Sequence, residues 1–508
     1  MTDDVFDVAI VGYGPVGMVL AGLLGKAGYR VVVVERYAGK YNLPRAATFD
    51  DETMRTFAML GIAEQLLPKL GVQHSYEWCN AAGDLLMKQA FANVGRSGWA
   101  EWYMMYQPDL EDALDEVCRS LPNVDVRFDS QVIGLTQDET GVELRLAEDA
   151  APVRARYVVG CDGGNSFVRR ALDVEVTDYG FSEPWMVCDF RLNGATDLPM
   201  AMQVGDPEQP TSIISLGPDH HRFSFMLTSE AEFEVESDPA RVWARVSRYL
   251  QPHQADLIRV ATYTFRSLVV RQWRVGRVML AGDAAHQMPP FLGQGMCSGV
   301  RDALNLWLKL KLVLDCSAQD DILDTYQTER EPHVRAVTLK GIELGRVQTT
   351  RDPAVAAERD RRLMANQRLN SKPEKFVFPP LGPGMLSDSP AAGELFVQGR
   401  FRIDEHVGRF DDVVGYGSSL IYDDSVARIV AAQIAAAEAQ GVKCFAVSQD
   451  HDPARSNGDI DGTYCKWLKE HDCSVVAVRP DFHVWGTAID PSEVEKLVDA
   501  FMQSQCIQ

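Results

Sequence analysis

Residues 6–36 read FDVAIVGYGPVGMVLAGLLGKAGYRVVVVER, and few folds accept that order of parts. An apolar run with the pattern of a buried strand, Phe6–Val11, stops at a glycine-rich turn. A helical stretch from Pro15 to Ala27 follows, and a second strand-like run, Val31–Glu35, closes the unit. Gly12, Gly14 and Gly17 supply the spacing GxGxxG. The first glycine allows a tight turn, the second lets the backbone approach a pyrophosphate, and the third lets helix and strand pack closely. Pro15 and Val16 open the helix, whose N-terminus offers free N–H groups and a positive dipole end to a phosphate. Glu35 stands 21 residues after Gly14, where a carboxylate suits two ribose hydroxyls and repels a 2′-phosphate; Arg36 follows it. The pattern predicts a dinucleotide site and does not distinguish NAD from FAD.

The rest of the chain narrows the choice. No second GxGxxG follows a strand, so there is no separate nicotinamide-binding domain. Two other elements appear instead. RYVVGCDGGNSFVRRAL (156–172) puts Asp162-Gly163 after a strand, with Ser166 and Arg169 beyond it. VMLAGDAAHQMPPFLGQGMCSGVRDALNLWLKL (278–310) runs from a buried strand into Gly282-Asp283, a Pro/Gly-rich loop and an apolar-periodic helix. A carboxylate and a helix N-terminus aimed at one spot predict a ligand needing an acceptor on one side and an electropositive backbone on the other.

With these three motifs in this order and spacing, the chain resembles the FAD-dependent aromatic hydroxylases, the single-component (group A) flavoprotein monooxygenases. Within them it is most similar to 3-(3-hydroxyphenyl)propionate hydroxylase and the phenol-hydroxylase-like members, over essentially its whole length. The resemblance implies an α/β fold: a Rossmann-like FAD-binding domain (1–175 and 273–390) interleaved with a mixed β-sheet substrate domain (176–272), plus a C-terminal thioredoxin-like domain (391–508). It implies that Asp283 accepts a hydrogen bond from the ribityl chain of FAD. Pro290, Gly293 and Gln294 then lead to a helix starting near Gly295-Met296, which points its N–H groups at the pyrimidine edge of the flavin. That edge is anionic in reduced flavin, so a positive helix end stabilises it. Arg45, in LPRAATFDDETMRTF, matches an arginine near the FAD and the active-site entrance. Gln107, in MMYQPDLEDAL, matches a glutamine that reaches the FAD backbone. Val132 sits where adenine is contacted through the main chain, and Asp162 near the pyrophosphate.

The reaction implied is hydroxylation of a phenolic aromatic acid through a flavin hydroperoxide, with NADH or NADPH as a transient reductant and O2 as the oxygen donor. The nearest relatives in kind favour NADH. The same chemistry on a hydroxypyridine or a polyketide-type aromatic, or a flavin-dependent NAD(P)H oxidase or reductase, is the alternative; the intact GDAAHxxPPxxGQG loop argues against a non-catalytic FAD protein. Two residues are catalytic candidates. Arg222 falls where 4-hydroxybenzoate hydroxylase has an arginine that contacts the flavin in one of its positions; a solvated strand-end arginine is the plain reading. His286 is structural or flavin-proximal, or part of a proton path. The tyrosine that 4-hydroxybenzoate hydroxylase uses has no counterpart, because Leu198–Leu216 contains no Tyr. No metal site is expected: there is no HExxH, and His220 and His221 would point to opposite faces of a strand.

The formal net charge of −22 argues against nucleic acid or an anionic membrane surface as a partner, while leaving room for a local cationic pocket. The acidic start is unlike a signal peptide, no apolar run approaches a membrane span, and the ten cysteines form no CxxC pair, which together suit the cytoplasm. The alternating segments within 176–272 suit the substrate sheet. SKPEKFVFPPLGPGMLSDSPAAGE suits a linker, and the order β-α-β-α-β-β-α beyond it a thioredoxin-like tail. Its Cys465 and Cys473 are eight apart, so it is read as a packing and oligomerisation module, consistent with a homodimer or higher homo-oligomer.

Overall fold

The computed structural model describes residues 5–315, 318–369, 375–448 and 458–504. The acidic first four residues, Asn370 and the start of the linker-like stretch, 371–374, lie outside them. The chain divides into two compact units, one drawn from the described residues of Met1–Asn93, Ala100–Ala303 and Val334–Val377, the other from Val94–Trp99, Leu304–His333 and Phe378–Gln508.

The first unit is built on two sheets. In the first, Val278–Leu280, Val153–Gly160, Phe6–Val11, Val31–Val34 and Val124–Arg127 lie side by side in that order, all parallel. Parallel strands covered on both faces read as continuous apolar runs. Val8, Ile10, Val31, Val33, Val158 and Val278 accordingly have no exposed surface. The helix Pro15–Lys26 crosses between the first two strands of the sequence, with Pro15 in its first turn, where no N–H is needed.

The second sheet orders His286–Gln287, Ala255–Val270, Val176–Leu192, His220–Met226, Thr211–Ser215, Ala201–Gly205, Ser75–Asn80 and Leu85–Ala90. Its last two strands come from well upstream of 176–272, and Ser75–Asn80 joins by parallel pairing with Ala201–Gly205. One face packs Met186, Phe223, Ile213 and Phe225 against the helix Pro239–Val246. The other face belongs to the site described below.

The second unit holds a four-stranded sheet in the order Lys443–Val447, Ser419–Asp423, Val475–Val478, Val484–Ala488, with the first pair parallel and the rest antiparallel. Helices Ala431–Ala439 and Pro491–Ser504 cover one face and Thr463–Glu470 the other, the order expected of the tail. The linker-like stretch is not a free connection. Leu381 and Met385 are buried, and the N–H groups of Gly382, Ser387 and Gly393 donate to Glu329, Trp485 and Val484 at 2.8 Å each. A Pro/Gly-rich composition marks irregular backbone, and here tertiary partners satisfy that backbone. In the same unit Glu329, without exposed surface, accepts from Lys309 at 2.6 Å and from Arg479 at 3.0 Å. Burial raises the Glu329 carboxyl, but Arg479 and Lys309 outweigh it and hold it at about 2.

Candidate active site

The glycine turn at the end of Phe6–Val11 has three different environments. Gly12 has φ +103°, and a Cβ there would stand 2.6 Å from the Cys161 carbonyl oxygen. A Cβ on Gly17 would run into the Gly12 carbonyl. Around Gly14, by contrast, no described residue beyond its chain neighbours has an atom within 4 Å of a Cβ position. The first and third glycines are therefore needed by the protein itself, and the second leaves room before the helix N-terminus, as a diphosphate requires. Beyond the next strand, Glu35 accepts the Tyr13 N–H at 2.8 Å and the Tyr37 N–H at 3.1 Å, which aims its carboxylate back at the turn. Arg36 is exposed and its guanidinium stacks on the Tyr37 ring.

Two further loops converge on this corner because their strands are neighbours in the sheet. Asp162 follows Val153–Gly160 and accepts from the Phe167 and Val168 N–H groups at 2.6 and 3.1 Å, capping a short helix, while its other carboxylate oxygen is buried without a partner among the described residues. Gly282-Asp283 follows Val278–Leu280. Arg169 ties the two loops together, donating to the carbonyls of Gly164 at 2.5 Å and Ala284 at 3.0 Å. Asp283 has an exposed tip but is surrounded by protein, as on a cleft wall; that surrounding pushes its carboxyl above the usual range, against the pull of His286, Arg45 and Arg169. Val16 packs on Gly282 at 3.1 Å from where a Cβ would be, so the first turn and the Gly-Asp turn fit only without a side chain between them.

The loop then runs through exposed Pro290 to Gly293 (φ +63°) and enters the helix Gly295–Leu314. The first N–H groups of such a helix have no intrahelical acceptor. Beyond its chain neighbours and its own helix backbone, no described residue has an atom within 4 Å of a Cβ on Gly295, and Met296 is half-buried, so the helix end faces open space. Gln294 is different: fully buried, it donates to Asp50 at 3.0 Å and accepts from Arg301 at 2.8 Å. Arg301 also pairs with Glu52 at 2.6 Å and with Asp50. Burial raises the Asp50 carboxyl, but Arg301 with the Thr53 and Gln294 hydrogen bonds holds it below the usual range. Gln294 thus anchors the loop and is not free to meet a ligand through its side chain.

His286 has no exposed side-chain surface; its Nε2 meets Asp302 at 2.6 Å beneath the loop. Gln107 is likewise committed, accepting the N–H groups of Arg45 and Ala46 at 2.9 and 2.6 Å and donating to Glu111 at 2.6 Å. Burial pushes the Glu111 carboxyl up to about 7. Arg45 itself is exposed, its guanidinium over the Tyr41 ring. Val132, buried, begins a strand that pairs with Val142–Leu146 beside the FAD-type sheet.

Arg222 is no solvated strand-end residue. It is buried and meets Asp189 at 2.6 and 3.0 Å, while donating to the carbonyls of Arg45 at 2.5 Å and Pro44 at 2.8 Å. Arg259, on the strand that flanks Asp189 from the other side, joins it, reaching Asp189 at 3.3 Å and the Pro44 carbonyl. This face of the second sheet therefore holds the 44–45 loop at one end. At the other end Trp185 packs on Phe291 of the Gly-Asp loop, 6.0 Å between ring centroids. Pairing sets a row between those ends: Ala261 beside Val187, Val187 beside Ser224, Ser224 beside Ser212. Small residues in that row leave a trough, and half-exposed Ser212, Ile214, Ala261 and Tyr263 border open space. Asp50, Asp189, Arg259, Arg301 and Asp302 were not legible as site residues, since each acts through a partner remote in sequence.

Comparison with known proteins agrees with this geometry. Residues 5–340 match the family described as FAD binding domain, and residues 393–504 the HcaD C-terminal domain. A probable NADH-specific resorcinol 4-hydroxylase of Rhodococcus jostii (strain RHA1) is 49% identical over 507 residues, covering 97% of this chain and 93% of that protein. A 3-(3-hydroxy-phenyl)propionate/3-hydroxycinnamic acid hydroxylase of Mycobacterium sp. (strain KMS) is 34% identical, covering 95% of this chain and 88% of that protein. Among solved structures, the flavin-dependent monooxygenase PieE in complex with FAD and substrate shares the fold, with a TM-score of 0.83 over all of both chains at 22% identity. Aklavinone-11 hydroxylase with FAD and aklavinone does so with a TM-score of 0.79 at 24% identity, over 99% of this chain and 100% of that one. A family model over residues 5–340 and relatives matched along nearly the whole chain leave one assignment: this chain belongs to the FAD-dependent aromatic hydroxylases, flavoprotein monooxygenases that use NAD(P)H.

Proposed function

We propose that this protein hydroxylates a resorcinol-like phenol with NADH as reductant. The observation that carries this reading is the chemistry of the trough: hydroxyl and apolar groups at its centre, and at its edge two guanidiniums, of Arg222 and Arg259, engaged by Asp189 and by loop carbonyls. Such a surface favours a neutral ring. The resorcinol hydroxylase, at 49% identity against 34% for the hydroxyphenylpropionate enzyme, supports the same choice and the same reductant.

Gly12, Gly14 and Gly17 with the N–H groups from Pro15 onward would hold the diphosphate of FAD, Glu35 a ribose, Asp283 the ribityl chain, and the Gly295-Met296 helix end the pyrimidine edge. FAD, when bound, supplies the electron transfer and the oxygen activation. This chain's residues do the rest. The helix end places positive potential where negative charge develops. Gln107 and Arg222 fix both sides of the 44–45 loop, and Trp185 with Phe291 walls one end of the trough. His286 and Asp302 hold the Gly282 turn from behind, a positioning role.

A hydroxyphenyl acid is the second reading, favoured by one observation: Nη2 of Arg259 is buried without a partner among the described residues and is the donor such an acid would use. NADH oxidation by the FAD-loaded protein should rise many-fold with resorcinol, less with 3-(3-hydroxyphenyl)propionate, and the product should carry one added oxygen by mass. Stronger stimulation by the acid would replace the first reading with the second, and equal rates with NADPH would overturn the reductant.

A further inference from the structure

We propose that Ser224 and Tyr263 are the residues that bind the substrate's hydroxyl groups, and so set a preference for a ring with two hydroxyls over one with a single hydroxyl. The inference rests on the resorcinol reading and goes one step further, to the groups that enforce it. Both side chains stand on the trough face. Ser224 lies beside Val187 in the central row, between Arg222 and Met226 along its own strand. Tyr263 is paired with Trp185, one row on, four residues after Arg259, whose guanidinium sits 5.5 Å from its ring centroid. Their strands flank the Trp185–Val187 strand and the two positions are offset by two residues along it, so their backbones are about 12 Å apart at ~4.8 Å per strand and ~3.4 Å per residue, a span that a ring with hydroxyls at two positions bridges once the side chains reach inward.

Hydrogen bonding separates these two hydroxyls from their neighbours. Ser212 donates to Gln203 at 2.6 Å, and Ser215 donates to the Gly217 carbonyl at 2.9 Å. Neither the Ser224 nor the Tyr263 hydroxyl bonds to another described residue. Tyr263 is half-buried and Ser224 is 7% exposed, and strand register puts both on the trough face. A hydroxyl both donates and accepts, so each can pair with a phenol oxygen in either sense, whereas a carboxylate would offer acceptors only. A site built to bond a hydroxyl rejects an analogue lacking it, because its own polar group is then left unpaired.

The test uses Tyr263→Phe and Ser224→Ala, each removing one oxygen with little change of shape, in the full-length FAD-loaded protein. Resorcinol and 3-methylphenol are titrated while the flavin absorbance is followed. The unaltered protein should bind resorcinol more tightly, and each variant should weaken resorcinol roughly three- to tenfold while leaving 3-methylphenol changed by less in at least one of them. Melting curves and FAD content check folding, and Tyr263→Phe decides alone if Ser224→Ala unfolds. If both variants keep the full preference for resorcinol, the assignment of these residues is overturned and the proposed function stands. If the unaltered protein shows neither a spectral response to resorcinol nor faster NADH oxidation with it, the function reading falls and this inference with it.

Discussion

Nε2 of His286 and Oδ2 of Asp302 lie 2.6 Å apart with no exposed surface on either side chain, and the same aspartate oxygen accepts the Gly282 N–H at 3.1 Å. One carboxylate on the Gly295–Leu314 helix therefore holds both ends of the Gly-Asp turn. Asp302→Ala should leave the turn and the histidine unpaired, costing about 1–3 kcal/mol. Loosening Asp283 in this way should weaken FAD binding roughly tenfold, read by fluorescence recovery when apoprotein is titrated with FAD. Unchanged FAD affinity would show that the turn is held by other contacts.

Gly14 and Gly17 separate folding from cofactor binding. A Cβ at position 14 meets no described residue within 4 Å beyond its chain neighbours, whereas one at position 17 strikes the Gly12 carbonyl. Gly14→Val should give a folded protein with a melting temperature close to that of the unaltered apoprotein, but colourless after purification. Gly17→Val should lose stability with or without FAD. Differential scanning fluorimetry on apoprotein and FAD-loaded samples distinguishes them.

Asp189 neutralises one of two buried guanidiniums and orients both toward the 44–45 loop. Asp189→Asn leaves two adjacent buried cations, and breaking a buried pair of this kind costs about 3–5 kcal/mol. Urea unfolding should show that loss. Asp189→Asn combined with Arg259→Met removes the excess charge and should recover part of it.

Glu111 gives the fold a pH dependence of known sign. Burial raises its carboxyl from 4.5 to about 7, so the folded chain holds a proton that the unfolded chain releases. Its contribution is complete below pH 4.5 and is lost as pH rises through about 7. Glu111→Gln keeps an acceptor for Gln107 and should flatten the stability profile between about pH 5 and 8, raising stability at pH 8 by at most ~3 kcal/mol. Chemical denaturation at several pH values reads this directly.

The parts legible in the sequence are those decided by residues close together in it. The strand, the glycine turn and the helix from Phe6 to Lys26 follow from apolar periodicity and from three positions where a Cβ is either forbidden or would fill a ligand's space. The Gly-Asp loop and the helix after it follow in the same way, and so does the order of elements in the tail. What the tertiary structure alone decided is which side chains are free. Gln107, Gln294 and Arg222 are polar residues in motif-like settings, and each has its hydrogen bonds taken by partners from 4 to 244 positions away. The second sheet drew in Ser75–Asn80 and Leu85–Ala90, and its register lined up Val187, Ser224 and Ser212 into a trough floor that no single segment displays. A sequence states the hydrogen-bonding capacity of every residue. Which groups are left to meet a substrate depends on what the folded chain has already paired, and pairing between distant strands is a property of the packed structure.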